Sequence, residues 1–185
     1  MYELVKGRPQ ERGDRQEKEM RVYDFLDKLG VDYERIDHEP LMTMEACAKA
    51  DAVINAQICK NLLLRNQQKT TFYLLMMPGD KKFKTKDLTK QLGCARLSFA
   101  EPEYMERYLD IVPGSLSVLG LMNDKEIAVR LLMDEETLAE EYLGVHPCQN
   151  TSTLRIRTKD LLSVILPATG HDYTAVSLPR EDAFA

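Results

Sequence analysis

The chain has 185 residues, of which 44% are hydrophobic and 30% charged, with a formal charge of −5. This length supports one domain with a sizeable core and is short for two. The composition excludes a fibre, a disordered chain and a disulfide-stapled mini-protein, and the negative charge argues against general coating of nucleic acid or anionic membrane.

Residues 1–13 are polar and carry Gly7, Pro9 and Gly13, the pattern of a loose lead-in before a single domain spanning 14–185. From Asp14 the run DRQEKEMRVYDFLDKLG reads as a helix: Met20, Tyr23, Leu26 and Leu29 recur every third residue and Gly30 follows as a stop. VDYERIDH (31–38) alternates as a short strand closed by Pro40. TMEACAKA (43–50) is rich in helix formers, with Thr43 as its N-cap.

Two apolar runs, AQICKNLLLRN and TFYLLMMP, are separated by QQKT and predict a hairpin. TKDLTKQLG (85–93) predicts a helix ended by Gly93, ARLSFA (95–100) a strand, and EPEYMERYL (101–109) a helix. SLSVLGLMND (115–124) and KEIAVRLLMD (125–134) predict a second strand pair. EETLAEEYLG (135–144) predicts a helix, TSTLRIRT (151–158) a strand, KDLLSVILPATG (159–170) a helix stopping near Pro167, and YTAVSLP (173–179) a closing strand. Short helices mixed with hairpins indicate an α+β fold, with a mixed or antiparallel sheet or a partial barrel.

Cys47, Cys59, Cys94 and Cys148 form no CxxC pair, so neither a metal site nor a cofactor is expected. No apolar run reaches bilayer length, and the polar start is unlike a signal peptide. A cytoplasmic protein with reduced thiols and no membrane contact is the simplest expectation.

Four stretches carry possible chemistry. In QICKNLLLRN, strand alternation puts Ile58, Lys60, Leu62 and Leu64 on one face and Cys59, Asn61, Leu63 and Arg65 on the other. A lysine on an apolar face either snorkels to water along its methylenes or sits at the lip of a pocket, offering donors to a carbonyl oxygen or phosphate. In VPGSLSVLGLMND, Gly114 either serves a turn or lets a ligand approach the backbone. In GVHPCQNTST, His146 lies in a loop with Asn150, Thr151, Ser152 and Thr153, groups suited either to capping turns or to binding. KKFKTKDLTK (81–90) holds five lysines against one aspartate, a solvated face or a phosphate contact.

Together these stretches resemble the YbaK-like aminoacyl-tRNA deacylases, related to the editing domain inserted in bacterial prolyl-tRNA synthetases. The features are the strand lysine in CKNLLLRN, the glycine-led PGSLSVLGLMND and the HPCQNTST loop, with LPATGHDYTAV similar to the family's C-terminal end. The resemblance covers roughly residue 20 onward, and is greatest to the freestanding type that removes alanine from tRNA specific for proline.

The resemblance implies an α+β fold and hydrolysis of mischarged aminoacyl-tRNA by water, assisted by the substrate's own ribose hydroxyl. It implies Lys60 as the catalytic residue, orienting the ester or stabilising developing charge. Backbone groups of Gly114, Ser115, Ser117 and Val118 would hold the aminoacyl end, with His146, Asn150 and Thr151 lining the site. Lys81, Lys82, Lys84 and Lys86 are the candidates for touching tRNA. The implied partners are the acceptor end of tRNA(Pro) and prolyl-tRNA synthetase. Val118 stands where the family often has proline, which bears on the amino acid selected. A small substrate needs a tight wall, for which Ile58, Leu62 and Val118 are candidates. Removal of cysteine or serine, or a non-catalytic module that captures aminoacyl-tRNA or docks on a synthetase, are the alternatives.

Overall fold

Residues 2–180 are described by the computed structural model. Helix α1 (Glu17–Lys28) forms on the expected stripe and buries Val22, Tyr23 and Leu26 completely. Before it, Val5–Lys6 form a strand, β1, on β2 (Tyr33–Asp37), and Arg35 donates to the carbonyl of Gly7 at 2.7 Å. The lead-in is therefore tied to the sheet rather than loose, because its backbone finds ladder partners. Thr43 caps α2 (Met44–Ile54) by accepting from the N–H of Ala46 at 3.1 Å.

The hairpin of β3 (Gln57–Arg65) and β4 (Phe72–Pro78) is the centre of the sheet. Next come α3 (Thr85–Leu92), β5 (Ser98–Phe99), α4 (Pro102–Leu109), β6 (Val129–Asp134), α5 (Glu135–Ala139), β7 (Tyr142–Val145), β8 (Ser152–Arg157) and, after further helix, β9 (Tyr173–Val176). The sheet order is β1-β2-β8-β7-β3-β4-β6-β9, with β5 added to β3. It is mixed and does not close into a barrel: β7 on β3, β6 on β4 and β9 on β6 are parallel and the other pairs antiparallel.

Strand alternation divides the apolar residues as expected. Leu63, Leu74 and Met76 join the main core with α1, while Leu64, Leu75 and Met77 pack on the other face with Leu88 and Val176. Ile58 leaves that second group and packs with Ile36, Ala50 and Ile54 beneath α2. Lys60 lies between these two apolar groups.

The free edge of β3 positions the site. Its edge opposite β4 pairs with β7 at Gln57 and Ile58 and with β5 at Leu64 and Arg65. Among the described residues, 59–63 cross the gap between those strands with no ladder partner on that side, apart from the Leu63 carbonyl, which accepts from the N–H of Ala100 at 2.8 Å. Gly144 sets one side of the gap. A Cβ there would stand 2.9 Å from Ile58 Cγ1 and 3.2 Å from its Cα, so only glycine permits this close strand approach.

Four expectations need correction. SLSVLGLMND is not a strand: Val118–Asn123 form a 3-10 helix, capped by Ser117 Oγ accepting from the N–H of Leu119 at 3.2 Å. Val118, Leu119 and Leu121 are all buried, and a short, wholly apolar run does not distinguish strand from turn. The second hairpin is therefore absent, and β6 instead pairs in parallel with β4 and β9. The predicted helix 135–144 stops at Ala139, and its second half is β7, where Leu143 and Val145 enter the main core. Strand 95–100 shrinks to Ser98–Phe99. Finally, the last helix passes through Pro167. Between α6 (Thr158–Asp160) and α7 (Leu166–Thr169) lies a π-helical stretch, Leu161–Ile165, whose wider turn accommodates a proline that has no N–H to give. Gly170, at φ 77°, ends it.

Candidate active site

The gap in the sheet opens onto a cavity of about 250 Å³ lined by Cys59, Asn61, Leu63, Phe99, Gly114 and His146, among others. Gly114 reaches it because the 113–114 turn takes φ 89°, a backbone state that favours glycine. Asn61 turns its amide back onto the Cys59 carbonyl at 3.4 Å, which leaves Oδ1 buried without a hydrogen-bond partner. A buried acceptor in that state favours a donor arriving from the cavity. Burial pushes the Cys59 thiol up, and the Cys148 thiol up to about 12, so neither is a thiolate nucleophile.

His146 follows β7 directly and so connects two strands, rather than a helix and a strand. Its Nδ1 lies 2.9 Å from the Ser152 carbonyl, which can only accept. The hydrogen is therefore on Nδ1, and Nε2 of the neutral ring keeps its lone pair. Thr153 Oγ1 lies 3.4 Å from the same Nδ1 and 2.8 Å from Nε2 of His38. His38 Nδ1 is bound in turn to the Glu39 carbonyl at 2.8 Å, so its Nε2 accepts the Thr153 hydroxyl proton. The two rings stand edge to face with centroids 6.1 Å apart. His38 thus orients His146 through Thr153. The reading of the sequence left His38 without a role. Its usable signal was scarcity, since the chain has three histidines and two of them meet here.

Burial lowers both histidines from the ordinary value near 6.5 and outweighs the hydrogen bonds that would raise them. For His38, Glu39, Asp37 and Glu19 also pull upward; for His146, the His38 ring pulls downward. Below about pH 6.5 the unfolded chain binds protons that the folded one resists, so this contribution to stability is complete above that pH and is lost as pH falls. Thermal melts should show Tm dropping between about pH 7.5 and 5.5, with a shallower drop in His38→Gln. A flat profile, or an identical slope in the variant, would contradict the neutral pair.

Lys60 is not on the cavity's face of β3. It is half-buried on the opposite face, and its Nζ donates to the Lys81 carbonyl at 2.7 Å. Cys59 and Asn61, its immediate neighbours, line the cavity, so the lysine and the cavity meet only around the unpaired edge. Lys81 itself is a correction to the expected tRNA contacts. Its Nζ is buried against Asp134 at 2.9 Å and Glu136 at 2.9 Å, an internal ion pair that anchors the segment carrying the carbonyl for Lys60. Lys82, Lys84 and Lys86 are exposed, and Lys86 lines a surface groove of about 560 Å³ with Lys90 and Arg96.

The remaining residues divide. Ser115 Oγ accepts from the N–H of Asn150 at 3.1 Å, and Asn150 Oδ1 accepts from the N–H of Leu41 at 3.2 Å; both residues are buried and brace the histidine loop. Ser117 caps the 3-10 helix and Val118 is packed in the main core, so their side chains are structural. Thr151 faces a different, polar cavity with Arg15, Glu19 and Gln149. Of the proposed wall, Leu62 reaches the cavity, while Ile58 packs beneath α2. Among the described residues there is no cluster of three or more metal-ligating side chains, and no helix is long and apolar enough to cross a membrane.

The site is thus a cavity at an open strand edge, holding a neutral His146 ring and the unpartnered Asn61 Oδ1, with Lys60 on the other face of the same strand. The sequence matches the family model for the aminoacyl-tRNA editing domain over residues 38–164, and the chain belongs to that family. It is thus an aminoacyl-tRNA deacylase, a hydrolase of the ester between amino acid and tRNA. It is 31% identical over 153 residues to the prolyl-tRNA editing protein ProX of Acetoanaerobium sticklandii, covering 83% of this chain and 93% of that protein. It is 29% identical over 151 residues to the mouse prolyl-tRNA synthetase associated domain-containing protein 1, covering 80% and 88%. The fold matches a crystal structure described as a candidate trans-editing enzyme for prolyl tRNA synthetase, with TM-score 0.66 and 18% identity over 89% of this chain and 99% of that one.

Proposed function

We propose that the protein acts in trans on mischarged tRNA(Pro) in the cytoplasm and removes alanine. The observation that carries this reading is the cavity at the open edge of β3. Its apolar walls, Leu63, Met105 and Leu116, suit a small aliphatic side chain, and Asn61 Oδ1 and the His146 Nε2 lone pair suit an α-ammonium group. The kinship with proteins named for prolyl-tRNA supports the tRNA assignment. Chemistry also supports it: a synthetase site sized for proline loses only about 1–3 kcal/mol when it accepts a slightly smaller side chain, so a second, smaller site is needed to clear the error.

On this reading the aminoacyl group enters beside Gly114 and its ester remains at the mouth. Lys60, which has one of its three N–H donors committed to the Lys81 carbonyl, turns toward the ester oxygen and stabilises the charge that develops as water attacks. With both nearby thiols protonated, water attacks without a covalent intermediate, aided by the terminal ribose hydroxyl. Lys82, Lys84, Lys86 and the groove with Lys90 and Arg96 take the acceptor-stem phosphates. Prolyl-tRNA synthetase is the natural source of the substrate.

The test is release of amino acid from tRNA(Pro) charged in turn with alanine, serine and cysteine. Alanine should be released fastest, because Leu63, Met105 and Leu116 offer its methyl apolar contact while the acceptors Asn61 Oδ1 and His146 Nε2 are taken by the α-ammonium group. Faster release of serine or cysteine would replace the amino acid but keep the hydrolase.

A further inference from the structure

Phe99 is the one aromatic among the large apolar side chains that the described residues leave exposed, at 56%. A phenyl ring gains much from burial, so a ring held in water at a cavity mouth has a contact to make. Phe99 lies on β5 opposite Leu64, at one side of the gap in the sheet, and lines the same cavity as Gly114 and His146. Phe83 braces it edge to face, with centroids 6.1 Å apart and planes at 77°. Phe83 belongs to the lysine-rich run, between exposed Lys82 and Lys84. Exposed Val112 precedes Pro113, another residue of the lining.

We propose that Phe99 is the stacking platform for the terminal nucleobase of the substrate. This rests on the editing reading, because the amino acid is esterified to the terminal ribose and its base must then lie one sugar away from the cavity. Every base has an apolar face suited to a rigid ring, and the lysines beside Phe83 supply the charge that the adjoining phosphates require. Stacking of this kind recognises a nucleotide end whatever the amino acid, so it contributes to substrate binding and leaves amino-acid choice to the cavity.

The experiment uses an acceptor-stem minihelix of tRNA(Pro) with 2-aminopurine at its terminal position, together with kinetics on alanyl-tRNA(Pro). Wild-type protein should quench the fluorophore. Phe99→Leu should abolish quenching and raise KM about 5- to 140-fold with kcat little changed, the equivalent of ~1–3 kcal/mol at 1.4 kcal/mol per tenfold. Phe99→Trp should restore both, and thermal melts should confirm that each variant is folded. Wild-type quenching and KM in folded Phe99→Leu would overturn the proposal. Quenching that depends on Phe99, with no hydrolysis by the wild-type protein, would overturn the editing reading and leave the stacking contact standing.

Discussion

Lys60→Ala should slow single-turnover release of alanine from tRNA(Pro) by on the order of a hundredfold or more, the usual loss when one donor to a developing oxyanion is removed. The fold should survive. The only hydrogen bond of the Lys60 side chain among the described residues goes to the Lys81 carbonyl, and that residue remains anchored by its own ion pair. A change in stability within about 1 kcal/mol is expected. Lys60→Arg keeps the charge but places a planar fork where a compact ammonium stood, and should rescue poorly. The location of Lys60 on the face away from the cavity sharpens this test. If the lysine only snorkels between two apolar groups, Lys60→Ala will hydrolyse at nearly the wild-type rate, and the catalytic assignment fails.

The second large effect is on stability. Lys81 and Asp134 side chains are each 1% exposed, and Asp134 Oδ1 also accepts from the N–H of Glu136 at 2.9 Å as the cap of α5. Asp134→Ala strands a buried ammonium and removes a cap, so chemical denaturation should show a loss of about 3–5 kcal/mol. Glu136 remains within reach of Lys81, but it is shared with Arg180. Replacing both partners, as in Lys81→Met with Asp134→Leu, should recover most of the loss, since an apolar pair of similar volume leaves no charge unpaired. A loss below about 1 kcal/mol in Asp134→Ala would mean that the pair does not anchor the segment that holds Lys60.

Much of the fold was legible because its signals were local. Thr43 as a cap, Gly93 as a stop and the β3–β4 hairpin all follow from residue type and alternation. The errors arose where burial hid the period. Val118–Asn123 and Tyr142–Val145 are almost wholly buried, so their apolar pattern carries no face, and tertiary packing decided between strand, turn and helix. Loop chemistry singles out Gly114 and His146, and both line one cavity. Asn61 adjoins Lys60 but carries no sequence signal of its own, because the unusual residue of the strand is the lysine on one face while the cavity lies on the other. His38 was invisible for a different reason: its role runs through Thr153, which is 115 residues away in the chain, and only the β2–β8 pairing joins them. Lys81 shows the converse, a charge that looked like surface in a lysine run and is internal.

On the proposed reading, this site clears an error and spares the correct product. The most direct measurement is the ratio of single-turnover deacylation rates on alanyl-tRNA(Pro) and prolyl-tRNA(Pro) for the wild-type protein, with the two amino acids on the same tRNA. Rapid release of alanine and negligible release of proline are expected. Equal rates on the two, or no release from either, would contradict it.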